Sequence, residues 1–419
     1  MVATAAAFNV IPNVIPAAMA QSAASMAPAK PASDWKFSAA AAVKETFDSN
    51  VYLQSETDQA NQESFVTSLL PQVAVTWNPS PAFGGSLGYS PEIAFFHSES
   101  SEDFVAHRAT LALSGKKDDT IVESATSLVF IDGSSVGPTW TGPGGAPATG
   151  GPAIRDRRDA AVYRANLRLT QNFEEWFVRP GFWFYLHDFQ TDHRSTAGYQ
   201  NYVDRNELLG GADFGRRLNE KVSVWTAYRY GAQDQSQLLA FPEEYDNTFH
   251  RALVGVEGQP EKWLKVSIAL GPEFRRFGDK VPAAFGDRDE LNLFVDASST
   301  LTPSKADTLT LSVKQFEQPG FGGRSAYEDL TCDFTWRHKL DARWTAGLGG
   351  RAYNTDFLDP VIRNDWVLSA NALVNCAVTS QLNAELSYVF EDGLTRDANA
   401  SGREYDRHLV ALGIKYLFQ

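Results

Sequence analysis

Apolar and polar residues alternate along most of the chain from Asp34 onward, in short stretches separated by turn-forming residues. One clear stretch has apolar side chains at Trp176, Val178, Pro180, Phe182, Phe184 and Leu186. An alternation of period two gives an extended strand two unlike faces, whereas an amphipathic helix needs apolar residues three and four positions apart. The pattern therefore predicts an all-β fold.

The connections between these stretches alternate between short and long. About eighteen stretches can be delimited, with about sixteen as the alternative count. The short connections are Trp77–Phe83, Gly115–Thr120, Gln171–Glu175, Leu218–Lys221, Gln259–Lys262, Thr302–Asp307, Arg337–Arg343 and Thr379–Gln381. The long ones are Ser49–Ser64, Asp132–Asp159, Asp188–Val203, Gln233–Asn247, Arg276–Asp289, Gln318–Ala326, Asn354–Asn364 and Asp392–Asp406, and the connection near His97–Asp103 is of modest length. This order is typical of an up-and-down antiparallel barrel with two unlike rims, so we predict a transmembrane β-barrel over residues 34–419.

The apolar face of the stretches could meet lipid, or it could fill the core of a soluble β-protein. Polar residues occupy the alternate face even in mid-strand, which a water-filled lumen tolerates better than a packed interior. Tryptophans also lie beside turns, where indole rings at the headgroup level form girdles: Trp35, Trp77, Trp176, Trp263, Trp336, Trp344 and Trp366. Both observations favour an apolar face against lipid.

Composition narrows the class further. The 419 residues carry 51 acidic and 37 basic side chains, a net charge of −14, without the basic face of a nucleic-acid-binding protein. The sequence contains no apolar run long enough for a membrane helix. The two cysteines, Cys332 and Cys376, are too few for a disulfide framework, and strand parity places both on the lipid face as free thiols.

The first residues differ in composition from the rest. Residues 1–20 are small and apolar and end in Ala18-Met19-Ala20, so we expect a signal peptide or its remnant. No Lys or Arg precedes the apolar stretch and two prolines interrupt it, which leaves an unfolded Ala-rich leader as the alternative. Residues 21–33, rich in Ala, Ser and Pro, are expected to form a disordered linker.

Two segments resemble known proteins. Val410, Leu412, Ile414, Tyr416 and Phe418 alternate strictly, and this end resembles the C-terminal signature of bacterial outer-membrane proteins, with Gln419 as a one-residue departure. The resemblance implies that Tyr416 and Phe418 are read by the barrel-insertion machinery of a Gram-negative-type bacterium. The segment Lys44–Gln54 is similar to the first-hairpin region of a bacterial β-barrel porin group, which implies an outer-membrane channel.

Charged residues on the polar parity are candidates for lining the lumen. The basic ones lie in the first half of the barrel: Arg108, Arg164, Arg168, Arg179, Arg229 and Arg251. The acidic ones lie in the second half: Asp296, Asp329, Asp333 and Glu385. In a ring the two groups would face one another and create a transverse field on polar solutes. The alternative is that these charges only solvate a wide lumen and are neutralised by close neighbours.

Two loop segments have compositions that suggest a special role. The loop Asp132–Asp159 is rich in Gly and Pro, so it either folds inward as a constriction or forms an external flap, and its composition favours the flap. His187, Asp188, Asp192 and His193 contain ligand types that metals use, but a solvated loop is the favoured interpretation.

The predicted function is passive diffusion of small hydrophilic solutes. The sequence contains no nucleophile-elbow, zinc-helix or P-loop motif, so no catalytic residue, metal or cofactor is expected. The expected partners are outer-membrane lipid, the insertion machinery and the solutes, with a homo-oligomer or an envelope protein left open. A structural or docking barrel is the second hypothesis, and an outer-membrane hydrolase is the third.

Overall fold

The computed structural model describes residues 35–53, 55, 61–80, 82–136, 155–157, 159–190, 204–235, 244–319, 326–359, 363–396 and 404–418. The expected signal peptide and linker lie outside these residues, as do residues 137–154 of the Gly/Pro-rich loop and Asp192 and His193. No helix in the described part has the length and apolar character to cross a bilayer.

Eighteen antiparallel strands form one closed wall, with each strand paired to its sequence neighbours. They are β1 Trp35–Asp48, β2 Ser64–Ser80, β3 in two pieces (Phe83–Tyr89 and Glu92–Phe96), β4 Phe104–Lys117, β5 Thr120–Val136, β6 Ala160–Phe173, β7 Trp176–Phe189, β8 Arg205–Arg217, β9 Val222–Gln235, β10 Asn247–Glu261, β11 Leu264–Phe277, β12 Asp289–Leu301, β13 Asp307–Pro319, β14 Ala326–Lys339, β15 Trp344–Phe357, β16 Asn364–Ala377, β17 Leu382–Thr395 and β18 Tyr405–Phe418. The last strand pairs with the first, from Ala39 opposite Phe418 to Asp48 opposite Leu409. The predicted up-and-down barrel is confirmed, with eighteen strands and not sixteen.

Short additional elements complete the described chain. A three-residue strand, Arg155–Arg157, pairs with the end of β5, and 3₁₀ helices form at Ser100–Glu102 and Ala283–Phe285. The predicted short connections all fall between an even strand and the next odd one, and the long connections fall at the other end of the strands. We call these two ends the short-turn rim and the long-loop rim.

Side-chain oxygens organise several turns at the short-turn rim. Asp341 Oδ1 accepts hydrogen bonds from the backbone N–H groups of Arg343 and Trp344 at 2.6 and 2.8 Å. Asn219 Oδ1 accepts equivalent bonds from Lys221 and Val222 at 2.8 and 2.9 Å. Asn and Asp favour such turns because the side chain replaces a backbone acceptor. These residues thus determine where one strand ends and the next begins.

The third strand is interrupted, although the apolar alternation from Leu87 to Phe95 in the sequence runs through the gap without a break. Register places Pro71 of β2 opposite Pro91, between the two pieces of β3. Neither proline has an N–H to give to the ladder, so pairing stops there. The pieces share one register, because Val73 pairs with Tyr89 and Leu69 with Ile93, and the alternation of faces survives the gap.

The outer face carries most of the exposed large apolar side chains. Tryptophans border it at the short-turn rim, where Trp35 and Trp77 stack at 5.7 Å between ring centroids. Near the long-loop rim, three tyrosine hydroxyls bond the Nδ1 atoms of histidines on the next strand: Tyr89 with His107 at 2.7 Å, Tyr228 with His250 at 2.6 Å and Tyr388 with His408 at 2.8 Å. Both cysteines are free thiols on the outward parity, as predicted.

The inner face changes character along the barrel axis. Near the long-loop rim its side chains are buried, among them Val162, His187, Phe249, Tyr327 and Tyr353. Near the short-turn rim many inner positions are half-buried or exposed, as at Lys36, Ser38, Lys265 and Ser267, while a group around Glu385 is buried. The lumen is therefore packed with side chains near the long-loop rim and more open over part of the short-turn half.

Candidate functional site: the barrel lumen

The register places all ten predicted lumen residues on the inner face. The arginines lie on β4, β6, β7, β9 and β10, and the acidic residues lie on β12, β14 and β17. The strand pairing thus agrees with the parity derived from the sequence. Their role in solute passage stays a prediction.

Arg179 and Arg229 share one buried carboxylate. Arg179 Nε donates to Asp213 Oδ2 at 2.6 Å, and Arg229 bonds the other oxygen of Asp213. Arg179 also makes a two-pronged contact with Glu257, three strands away, at 2.7 and 3.1 Å. Arg168 lies near Arg179, Asp213 and Glu257. Bidentate guanidinium–carboxylate contacts fix geometry as well as charge, so this group forms a rigid layer across four strands.

A second ionic group lies closer to the long-loop rim. Arg251 bonds Glu273, and Arg275 contacts both Glu273 and Glu317. Arg275 also donates to Gln233 Oε1 at 2.5 Å and to Asn247 Oδ1 at 2.7 Å. The side chains of Arg275 and Glu273 are 0% and 1% exposed. Buried charges of this kind are stable only with several hydrogen bonds each, a condition that Arg275 meets.

The remaining predicted residues also contact their neighbours. Arg108 pairs with Glu92 at 3.0 Å, and Asp333 pairs with Arg351 at 2.5 Å. Asp296 lies 3.7 Å from Lys314, Asp329 is bonded by the hydroxyls of Tyr353 and Thr355, and Arg164 lies 5.2 Å from the ring centroid of Tyr185. Glu385 is buried near the short-turn rim among Asn375, Arg337, Lys44 and Lys415.

These pairings differ from the predicted basic and acidic walls. Asp213, Glu257 and Glu273 lie among the arginines of the first half, while Lys314 and Arg351 accompany the acids of the second half. A carboxylate within hydrogen-bond distance cancels most of the field of a guanidinium at longer range. Close neighbours therefore pair with several of the lumen charges, which favours the second of the two interpretations, and the effect of these residues on solutes stays a prediction.

Side chains also meet across the lumen. Arg205 of β8 approaches the phenol groups of Tyr185 and of Tyr327, which lies on β14, six strands away. A circular barrel of this strand number is about 36 Å wide, so those two strands would be about 31 Å apart. An Arg and a Tyr together reach only about 14 Å. The barrel cross-section is therefore not circular in this half.

Several residues that shape the lumen were not predicted from the sequence. The inward aromatic residues Phe249, Phe294 and Phe316 are all buried. Arg251 stacks on Phe249 and Phe294 with its guanidinium carbon 4.3 and 4.2 Å from the ring centroids. The ring of Phe249 lies on Gly231, where a Cβ atom would come within 2.2 Å of it. An aromatic residue on a polar parity was the signal that sequence reasoning passed over.

Loops cover part of the long-loop rim. Lys280 Nζ donates to both carboxylate oxygens of Glu244, at 2.9 and 2.7 Å, and this hydrogen bond raises the pKa of Lys280. Phe285, in the loop between β11 and β12, packs with Tyr245, Phe277 and Ala326. In the described part of the chain, no group of three or more His, Cys, Asp or Glu side chains is placed to hold a metal ion.

The chain was compared with known proteins. No protein-family profile and no curated protein sequence matches it. Among solved structures it is similar to OccK2 (OpdF) of Pseudomonas aeruginosa, with a TM-score of 0.45 and 9% identity over 91% of this chain and 98% of that one. The outer membrane protein OpdK of Pseudomonas aeruginosa has a TM-score of 0.43 and 9% identity over 91% and 99%. The siderophore receptor PiuA of Acinetobacter baumannii has a TM-score of 0.45 and 10% identity over 93% and 82%.

The chain forms a closed antiparallel β-barrel of eighteen strands. This is the fold that the resemblance of the C-terminal alternation implied. The outward positions of Tyr416 and Phe418 on the closing strand are compatible with an assembly signal, and that role stays a prediction.

Proposed function

We propose that this protein is an outer-membrane channel for the passive diffusion of small hydrophilic solutes. The observation that carries the proposal is the contrast between the two faces of the same strands. Large apolar side chains are exposed on the outside, while the inside carries ion pairs and neutral polar groups. A bilayer solvates the first face and water solvates the second.

The distribution of burial indicates where solutes would be selected. The more open part of the short-turn half forms a vestibule, and the layer containing Arg179, Asp213 and Arg229 stands at the entrance to the packed half. Ion pairs at such a constriction offer both donors and acceptors to a passing solute. We expect a channel with weak charge selectivity, because each guanidinium there has a carboxylate beside it.

Liposome swelling with sugars of graded size tests the proposal. Vesicles containing the refolded barrel should swell in small sugars and lose this response above a size cutoff. Protein-free vesicles and vesicles with heat-unfolded protein provide the baseline. Absence of swelling in every sugar, together with absence of steady current in planar bilayers, would rule out an open channel.

A second function has an observation in its favour. The contact of Arg205 with Tyr327 and the packed long-loop half suit a structural barrel that docks another envelope component. Such a barrel would show no steady conductance and would retain a partner during purification from envelopes. The bilayer measurement therefore separates the two proposals.

An outer-membrane hydrolase remains the third candidate. At the short-turn rim, Asp307 bonds both Ser304, at 2.6 Å, and His338, at 2.7 Å. Nucleophilic catalysis needs the histidine next to the serine, and here the carboxylate lies between them. This group is a turn-stabilising arrangement, and a hydrolysis assay on lipid and peptide substrates tests the expectation that the chain is not an enzyme.

A further inference from the structure

Strands β12 and β13 are paired over only part of their length. Their register runs from Leu301 opposite Leu309 to Val295 opposite Gln315, which is seven pairs. Both strands continue toward the long-loop rim, β12 along β11 and β13 along β14. Among the described residues, no register pairs join Asp289–Phe294 of β12 to Phe316–Pro319 of β13. We call this interval the β12–β13 split.

Side chains take the place of the missing ladder. The backbone carbonyl of Glu317 accepts a hydrogen bond from Arg275 Nη2 at 2.8 Å, and Arg275 comes from β11, two strands away. Asn292 bonds the Glu317 carboxylate across the split. An unsatisfied backbone group costs several kcal/mol in a membrane, so a split persists there only where side chains supply the bonds.

The alternation of faces also breaks at this point. Phe316 faces the lumen, so the next residue, Glu317, is expected to face outward and be exposed. The side chains of Phe316 and Glu317 are instead only 3% and 1% exposed. The Glu317 carboxylate lies 3.2 Å from Nε of Arg275, an inward-facing residue. β13 therefore turns inward at Phe316–Glu317. Tyr327, on the next strand β14, is the residue that approaches Arg205 across the lumen.

Both apolar and acidic side chains border the split. Phe294 and Phe316 belong to one buried apolar cluster and border it on the lumen side. Glu290, Glu317 and Glu328 lie close together there, opposed by Arg275, and Asp287 adds a further negative charge. Glu290 Oε2 accepts no hydrogen bond from the described residues, whereas the Glu317 carboxylate already contacts Arg275 and Asn292. A molecule that suits this surface has an apolar part and a head that donates hydrogen bonds to a carboxylate.

We infer that the β12–β13 split is a lateral passage by which an amphiphile with a cationic head and an apolar chain moves between the lumen and the surrounding lipid. This inference rests on the proposed position of the barrel in a membrane and adds a solute class to the proposed channel. The head would occupy the acidic side of the split, beside Glu290 and Glu317. The chain would lie against Phe294 and Phe316 and extend into lipid.

Photolabelling with a diazirine-bearing dodecylamine in proteoliposomes tests this passage. The background carries Cys332→Ser and Cys376→Ser, and a short, reducible bifunctional methanethiosulfonate joins Leu291→Cys to Pro319→Cys, positions that a continued register would place opposite one another across the split. The matched control joins Ser298→Cys to Ser312→Cys, which pair directly on the same two strands. We expect the photolabel to attach at residues 289–294 and 316–319. The first cross-link should lower the amount of attached label about tenfold, and chemical reduction of the cross-link should restore it.

The control cross-link should leave the label unchanged, and the matching diazirine dodecanoic acid should label the split much less than the amine. Equal labelling by amine and acid, or labelling that survives the first cross-link, would overturn the inference. Sugar-driven swelling of the same vesicles is measured in parallel. If the vesicles did not swell in sugars, while labelling persisted and was still blocked by the first cross-link, the proposed diffusion channel would be contradicted. The lateral passage would then remain supported.

Hydrogen–deuterium exchange on the unaltered chain gives a second test that needs no variant. Peptides covering 290–294 and 316–318 should exchange at least about tenfold faster than peptides covering 296–300 and 309–313 of the same strands. Equal protection in the two halves would show a continuous ladder and would exclude the passage.

Discussion

Two seams of the barrel wall differ in a way that chain connectivity does not suggest. β18 and β1 come from opposite ends of the chain, yet they pair over ten positions. Arg407 bonds both carboxylate oxygens of Asp48 there, at 2.9 and 2.5 Å, and Ser49 N–H donates to the His408 carbonyl at 3.1 Å. β12 and β13 are joined by a short turn and pair over only seven positions.

The difference shows that a short turn secures only the end of a hairpin that it connects. Beyond that end, pairing depends on whether the side chains near the other rim favour a continuous ladder. At the closing seam, a buried ion pair lies directly beside the ladder. At the β12–β13 split, Arg275 donates a hydrogen bond to the backbone carbonyl of Glu317. Side chains fill the gap between the two strands there.

The largest effect is expected from Arg275→Met. This change leaves Glu317 buried without its cation, removes one of the two arginines that contact Glu273 and frees the Glu317 carbonyl, so it should lower the free energy of unfolding by about 4 kcal/mol. Urea unfolding followed by heat-modifiable electrophoresis measures it. Arg276→Met is the matched control, because Arg276 faces outward, is 71% exposed and forms a loose 3.7 Å pair with Asp289. A similar loss in both variants would contradict the role given to Arg275.

Arg407→Met should have the next largest effect, about 3 kcal/mol, because it leaves Asp48 buried without its partner at the closing seam. The change Asp48→Leu made in addition should recover part of that loss, since the uncompensated charge is then removed. Exchange at 290–294 should not change, because the β12–β13 split is independent of this seam. Faster exchange there in Arg407→Met would show that the seams are coupled.

The sequence predicts the wall of this barrel better than its cross-section. Period-two alternation and turn residues such as Asn219 and Asp341 determine strands, faces and short turns, which are local properties. The pairing of Arg179 with Glu257 depends on how four strands curve, and the shortened ladder at Glu317 depends on Arg275, 42 positions earlier. Such contacts follow from the shape of the closed wall, so parity alone placed the lumen charges without identifying their partners.

A smaller effect should come from Tyr327→Phe, which removes only the hydroxyl group that meets Arg205. The hydroxyl lies near Arg205 but makes no hydrogen bond of full geometry with the described residues, so we expect a loss below about 1 kcal/mol in the free energy of unfolding. A double-mutant cycle with Arg205→Met should show that the two changes are coupled by a comparable amount. Strictly additive effects would mean that Tyr327 of β14 does not interact with Arg205 of β8 across the lumen.

The smallest effect is expected at the short-turn rim, in the turn between β14 and β15. Hydrogen bonds from the N–H groups of Arg343 and Trp344 hold the pKa of Asp341 below its ordinary value. A depressed pKa in the folded state stabilises the fold above the unfolded pKa, about 3.9, and this contribution is lost as the pH falls through the folded value. The free energy of unfolding of the barrel should therefore be larger than that of its Asp341→Asn variant at pH 6. The difference between the two free energies should disappear as the pH is lowered.

The reciprocal change, Asn219→Asp, separates the turn geometry from the charge. Asn219 accepts hydrogen bonds from Lys221 and Val222 as Asp341 does from its neighbours, so a carboxylate there should acquire the same pH dependence. Urea midpoints measured between pH 3 and pH 6 in low salt should show a gain that appears as the pH rises. If Asn219→Asp gave no such gain while Asp341→Asn lost one, the effect would come from Lys339 and Arg343 near Asp341, and not from the turn hydrogen bonds.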